Sequence, residues 1–193
     1  MIALCLLWLA SASIGAQSAA PLTLDVRVFR GVTDVTGDTL VTLFPVGART
    51  GGRPVPLVPS GERRLALPSG QYDLQLVQQR AGEVVGISWT SLRLLVDYPG
   101  EYQQHLEVVN LEKGWGALQV RRAGTREQAP VAWSARLTGR DGSEAARGVV
   151  GHGYVVLVAP AGTYDVEVTR ADGSTTAIRG VEVRENLTYL KTF

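Results

Sequence analysis

One eleven-residue block occurs twice in the chain, and it constrains the fold more than any other feature. LPSGQYDLQLV, Leu67 to Val77, matches APAGTYDVEVT, Ala159 to Thr169, with Pro68/Pro160, Gly70/Gly162, Tyr72/Tyr164 and Asp73/Asp165 in register at an offset of 92 residues. The correspondence extends downstream, where Gly82 pairs with Gly173, and upstream, where LDVRV from Leu24 pairs with LQVRR from Leu118. A single large domain has no need to repeat itself at this spacing. Two modules of similar construction do, and with only two copies each must hold its own core rather than depend on stacking as a solenoid does.

The block has a physical reading. Pro and Gly flank a tight turn that sends the chain into a new strand, and Tyr72 or Tyr164 starts an inward set of alternate residues. The tyrosine hydroxyl is expected to hydrogen-bond backbone at the corner. The aspartate beside each tyrosine points the other way, with a solvated or turn-capping role as its default.

Elsewhere the periodicity is also that of strands. Leu22, Leu24, Val26 and Val28 alternate with Thr23, Asp25 and Arg27, which predicts one face in a core and the other in water. The alternation returns at Val131, Trp133, Ala135 and Leu137, at Tyr164, Val166 and Val168, and at Val181 and Val183. Turn signals separate these runs, among them Thr36-Gly37-Asp38, Pro68-Ser69-Gly70, Ala81-Gly82, Asp141-Gly142 and Asp172-Gly173. No long segment has helical periodicity. The expected fold is all-β: two tandem immunoglobulin-like β-sandwiches, residues 21–109 and 114–193, joined by a linker at 110–113. Glycines on both sides of Trp115 place its indole at the junction.

Residues 1–20 differ in kind. Ile2 to Ala10 is continuously apolar and is followed by the small and polar stretch SASIGAQSAA, then Pro21. A run this short falls below the ~20 residues needed to cross a bilayer, and it matches a secretory signal peptide with its cleavage zone between Gly15 and Ala20. No Lys or Arg precedes it, so either the start lies upstream or the amino terminus supplies the charge. Cys5, the sole cysteine, sits inside this segment near its beginning, where a lipoprotein signal would not place it. The exported chain then has no thiol, no disulfide and no transmembrane segment, and a periplasmic or extracellular location follows.

With 45% hydrophobic and 19% charged residues there is material for packed cores. The formal net charge is +1 and the arginines are scattered, which excludes attraction to nucleic acid as a driving force. The basic doublets Arg63-Arg64 and Arg121-Arg122 are expected at solvated positions.

Chemistry is hard to find. His105 and His152 are the only histidines and lie far apart, so no zinc cluster is indicated. Neither a nucleophile elbow nor a phosphate-cradling glycine loop occurs. Asp34 and Asp38, or Asp141 and Glu144, have the oxygens for a calcium loop but not its spacing, and turn formation beside glycine explains them at lower cost. The reading is of a non-enzyme with no cofactor. The tryptophans are the best remaining clue. Trp133 alternates with core residues, whereas Trp89 in ISWTSL, with Tyr98 and Tyr102 nearby and Trp115 at the junction, forms the candidate binding set.

The signature (L/A)P(S/A)G(Q/T)YD(L/V), with its early strand and following hairpin, resembles the carboxypeptidase regulatory-like and PEGA-type modules of bacterial envelope proteins. The resemblance covers both halves and implies prealbumin-like sandwiches that space, stiffen or dock other proteins: a structural or protein-interaction role at the envelope, with a protein partner, and with polysaccharide binding through the aromatics of module one as the alternative. The block is also similar to the collagen-adhesin B-type modules that carry a Lys–Asn isopeptide bond. Here, however, Val26, Arg27 and Val28, or Val120 and Arg121, stand where the first-strand lysine belongs, and Leu76 and Val168 stand where the assisting glutamate would fall. A transthyretin-like hydrolase also matches poorly, since the two histidines and the missing terminal Tyr-Arg-Gly-Ser do not supply its site.

Overall fold

A computed structural model describes residues 22–94, 104–122, 133–149 and 154–193. Residues 1–20, expected to be a signal peptide, and Tyr98, Tyr102, Val131 and His152 lie outside these residues. Every regular element described is a strand. The first half contains β1 (Leu22–Arg30), β2 (Thr33–Asp34), β3 (Thr39–Pro45), β4 (Arg53–Val55), β5 (Arg63–Leu67), β6 (Gly70–Arg80), β7 (Glu83–Leu94) and β8 (Gln104–Asn110). The second contains β9 (Trp115–Arg121), β10 (Trp133–Thr138), β11 (Glu144–Val149), β12 (Tyr154–Pro160), β13 (Gly162–Arg170), β14 (Thr175–Val183) and β15 (Thr188–Thr192).

The two halves share one topology. In the first, β1 pairs antiparallel with β5 and the short β2 and, along its other edge, parallel with β8; the facing sheet runs β4-β3-β6-β7. In the second, β9 lies between β12, antiparallel, and β15, parallel, and the facing sheet runs β11-β10-β13-β14. Strand for strand, β1 corresponds to β9, β6 to β13 and β8 to β15. Each half packs its inward residues into a separate core. Leu24, Val26 and Val28 meet Val41, Leu74 and Leu76 in the first half; Leu118 and Val120 meet Leu137, Leu157, Val166 and Val168 in the second. Trp133 is in that second core, edge-on to Phe193 at 4.9 Å between ring centroids.

The repeated block builds the same corner twice. The Tyr72 hydroxyl donates to the Pro68 carbonyl at 2.9 Å and the Tyr164 hydroxyl to that of Pro160 at 2.8 Å. Gly70 and Gly162 lie directly beneath the rings, where an added Cβ would stand 3.3 Å from ring atoms in both cases. The glycine, the proline carbonyl and the tyrosine are thus one device, which is why they recur together.

One expectation is corrected. The polar face of β1 is not in water: Asp25 is fully buried and Arg27 half-buried. The outward face of β1, β5 and β8 packs on the outward face of β9, β12 and β15. Phe29, Leu106 and Val108 there meet Ala117, Tyr154 and Val158, with Trp115 packed against them. Trp115 also approaches Gly31, so its indole is tucked into this junction. The Val108 amide donates to Thr188 Oγ1 at 3.0 Å across it. The charges this layer covers are matched. Arg64 Nε donates to Asp25 Oδ1 at 2.5 Å and Arg64 Nη2 to Glu62 Oε1 at 3.0 Å.

The Arg63-Arg64 doublet is therefore only partly solvated. Arg64 is half-buried, and Arg63 is buried, donating to the Thr36 and Val55 carbonyls at 3.3 and 3.1 Å. Of the second doublet, Arg122 is exposed, while Arg121 is half-buried with its guanidinium 5.2 Å from the Tyr154 ring centroid. The four sheets form a stack, and among the described residues two broad faces are left open: the outer face of β4-β3-β6-β7 and that of β11-β10-β13-β14.

Candidate interaction face

The two open faces differ in chemistry. On β4-β3-β6-β7 the outward residues fall in rows across the strands. Leu40, Val77 and Ile87 form one row, Thr42, Gln75 and Trp89 the next, and Phe44, Asp73 and Ser91 a third. Leu40 is 45% exposed, Ile87 59% and Trp89 39%, with Val84 and Val85 exposed at the same end of β7. Contiguous exposed aliphatic and aromatic side chains on a folded surface are a mark of interaction sites.

The third row explains how the aromatic part of the face is held. Asp73 Oδ2 accepts from the Gly47 amide at 3.0 Å and from Arg49 Nη1 at 2.9 Å, while Ser91 Oγ donates to Asp73 Oδ1 at 3.1 Å. The Arg49 hydrogen bond first, then that of the Gly47 amide, keep the Asp73 carboxyl below the usual carboxylate range. Through these bonds residues 46–52 are drawn onto the sheet. Gly52 lies so close to Phe44 that an added Cβ would stand 2.5 Å from its ring. Arg49 is thereby set over the Trp89 indole, its Cζ 4.2 Å from the centroid, and Phe44 lies 5.2 Å from the same indole. Asp73 is buried in this arrangement rather than solvated. Its counterpart Asp165 is exposed and caps a bulge, accepting from the Gly180 amide at 2.9 Å.

The corresponding face of the second half is charged. Arg136 on β10 pairs with Glu167 on β13 at 2.9 Å, and Arg147 on β11 pairs with Glu144 at 2.6 Å. Most of the carboxylates considered for chemistry have local structural partners. Asp34 Oδ1 accepts from the Thr36 amide, Asp141 Oδ1 from the Ser143 amide and hydroxyl, and Glu144 Oε1 from Arg147 Nε. His105 Nε2 lies 3.2 Å from Glu107 Oε2. Among the described residues there is no group of three or more His, Cys, Asp or Glu side chains placed to hold a metal ion.

Of the candidate binding set, Trp89 is on the open face, Trp115 is at the junction on the opposite side of the first sandwich, and Tyr98 and Tyr102 lie outside the described residues. The structure does not bring Trp89 and Trp115 together. Leu40, Phe44, Arg49 and Ile87 complete the face and carry no mark in the sequence analysis, and Asp73, read there as an outward carboxylate of the repeated block, joins them. A signal for some of them exists, because TLVTLFP is apolar on both parities of β3, with Val41 and Leu43 on one side and Leu40 and Phe44 on the other.

No protein-family model matches the chain, and no curated protein sequence matches it. Solved structures similar to it at low identity include the TIE protein of Bacillus anthracis, at 16% identity and a TM-score of 0.34 over 90% of this chain and 33% of that one. A minor pilin of Streptococcus agalactiae aligns at 13% and 0.30 over 89% and 94% of the two chains. A streptococcal ancillary pilin aligns at 14% and 0.32 over 91% and 62%. The chain spans about a third of the length of the TIE protein. At these TM-scores the likeness assigns no function. Among the described residues no helix is long and apolar enough to cross a membrane.

Proposed function

We propose that the chain is an exported, non-catalytic interaction protein of the cell envelope or surface, made of two sandwich modules at 21–109 and 114–193, that docks a protein partner on the outer face of β4-β3-β6-β7. The observation that carries this reading is the asymmetry between two sheets of identical topology. One presents Leu40, Ile87 and Trp89 to solvent, and the other covers the same ground with ion pairs. A solvated face gains nothing from exposed aliphatics, whereas a face that docks a partner gains affinity from burying them.

A sugar platform is less well supported, since stacking on a sugar needs an open indole face and Arg49 covers one face of Trp89. The test is fractionation of the native source with the chain carrying Leu40→Asp, against Arg136→Ala on the other face. Release of the Leu40→Asp protein from the envelope fraction, with Arg136→Ala retained, is the expected result; retention of both overturns the reading.

A further inference from the structure

The strand that borders the apolar face is itself an open edge. β7 ends its sheet, and among the described residues no strand pairs with its outer side. Such an edge offers a row of unpaired backbone N–H and C=O groups, and proteins ordinarily blunt it with charge, proline or a bulge. The other edges of these two sheets are blunted. β4 is three residues long and contains Pro54, β11 carries Glu144 and Arg147, and β14 is bulged at Gly180 beside Arg179. β7 is the longest strand described, and from Val84 to Leu92 it carries neither charge nor proline. Its register irregularity lies opposite Gln78/Gln79 and leaves Gly86–Leu92 regular.

The outward side chains of β7 then select the occupant. Ile87 and Trp89 stand on that face one residue to either side of Ser88, so the regular part of the edge is complementary to itself. We infer that β7 pairs antiparallel with β7 of a second copy of this chain about a two-fold axis at Ser88, joining two four-stranded sheets into one continuous sheet. This register sets Ile87 of each copy directly across from Trp89 of the other on the outward face, an aromatic against β-branched pair of the kind that stabilises cross-strand contacts. Ser88 meets its own symmetry mate. The backbone groups that the edge leaves open are satisfied, and the apolar row beginning at Leu40 continues across the axis. The inference does not depend on what docks on that face.

Sedimentation velocity over a concentration series tests it. The wild-type chain is expected to show a reversible dimer. Ile87→Lys, at a side chain already exposed, weakens it by about tenfold or more by placing a charge in the edge. In a Cys5→Ser background, Ser88→Cys oxidises to a covalent dimer, since directly opposed residues have Cα atoms about 4.5–5.5 Å apart, within disulfide reach. Thr90→Cys, displaced from its own mate, does not. Leu40→Asp, two strands from the edge, leaves the dimer intact, so loss of docking and loss of self-association are distinguishable. A chain monomeric at every concentration, a dimer indifferent to Ile87→Lys, or cross-linking of Thr90→Cys as ready as that of Ser88→Cys overturns the proposal.

Discussion

Asp73 and Asp165 hold the same place in the repeated block and have different roles, and the difference lies in what reaches them. Asp165 meets the amide of its neighbouring strand, whereas Asp73 meets a loop that folds over the sheet and brings Arg49 with it. Because the Asp73 carboxyl ionises below its ordinary range when folded, its contribution to stability is complete above that range and is lost as the pH falls through the lowered value. Asp73→Asn is therefore expected to destabilise the chain most near neutral pH, with the gap to wild type closing on acidification, and to raise quencher access to Trp89 as Arg49 is released. Denaturation measured as a function of pH, with fluorescence quenching, checks both; a gap that does not change with pH contradicts the assignment. The alternation in the sequence already placed Asp73 on the outward side. Its burial was not legible, because Gly47 and Arg49 lie more than twenty residues earlier and nothing local links them to it.

At the scale of elements, most of the strands were readable because each has one side in a core and the period of two exposes that side. Leu24, Val26 and Val28, Trp133, Ala135 and Leu137, and Val166 and Val168 are all buried as their spacing predicts. The same period misled at β1, where Thr23, Asp25 and Arg27 read as a solvated face. A polar face packed on a second sheet and a polar face in water share one pattern, and only the matching charges of Glu62 and Arg64, supplied from β5 and the turn before it, distinguish them. β9 shows the opposite case, a constraint visible in sequence as an isolated glycine. A Cβ at Gly116 would stand 2.0 Å from the carbonyl oxygen of Arg184, a backbone atom that cannot swing aside. Gly116→Ala is expected to cost about 2–3 kcal/mol, in the range for overpacking a fitted site, readable as a lowered denaturation midpoint. A midpoint within error of wild type would show that the segment following β14 moves aside easily.

For the whole molecule, the junction decides how the halves depend on one another. Each has its own core, so residues 114–193 are expected to fold alone, but the fragment lays bare Ala117, Tyr154 and Val158 and must melt below the full chain. Tyr154 reports on this directly. Burial, and then the Asp25 charge from the other half, push its phenol from 10.0 up to about 12. A raised phenol pKa favours the neutral form in the folded state, so the full chain loses stability as the pH climbs from 10.0 towards about 12. In the isolated fragment the phenol should titrate close to its ordinary value. A fragment that stays unfolded, or a phenol equally raised in both, contradicts the division into two modules joined at this face.

What remains is whether the open face of the first sandwich is where the chain meets its partner. A photo-crosslinking amino acid at position 40, in the middle of the β4-β3-β6-β7 face, compared with one at position 136 on the charged face of the second half, puts the question to the native source. One discrete adduct from position 40 and none from position 136 is the expected result. Adducts of equal yield from both positions, or an adduct from position 136 alone, would contradict it.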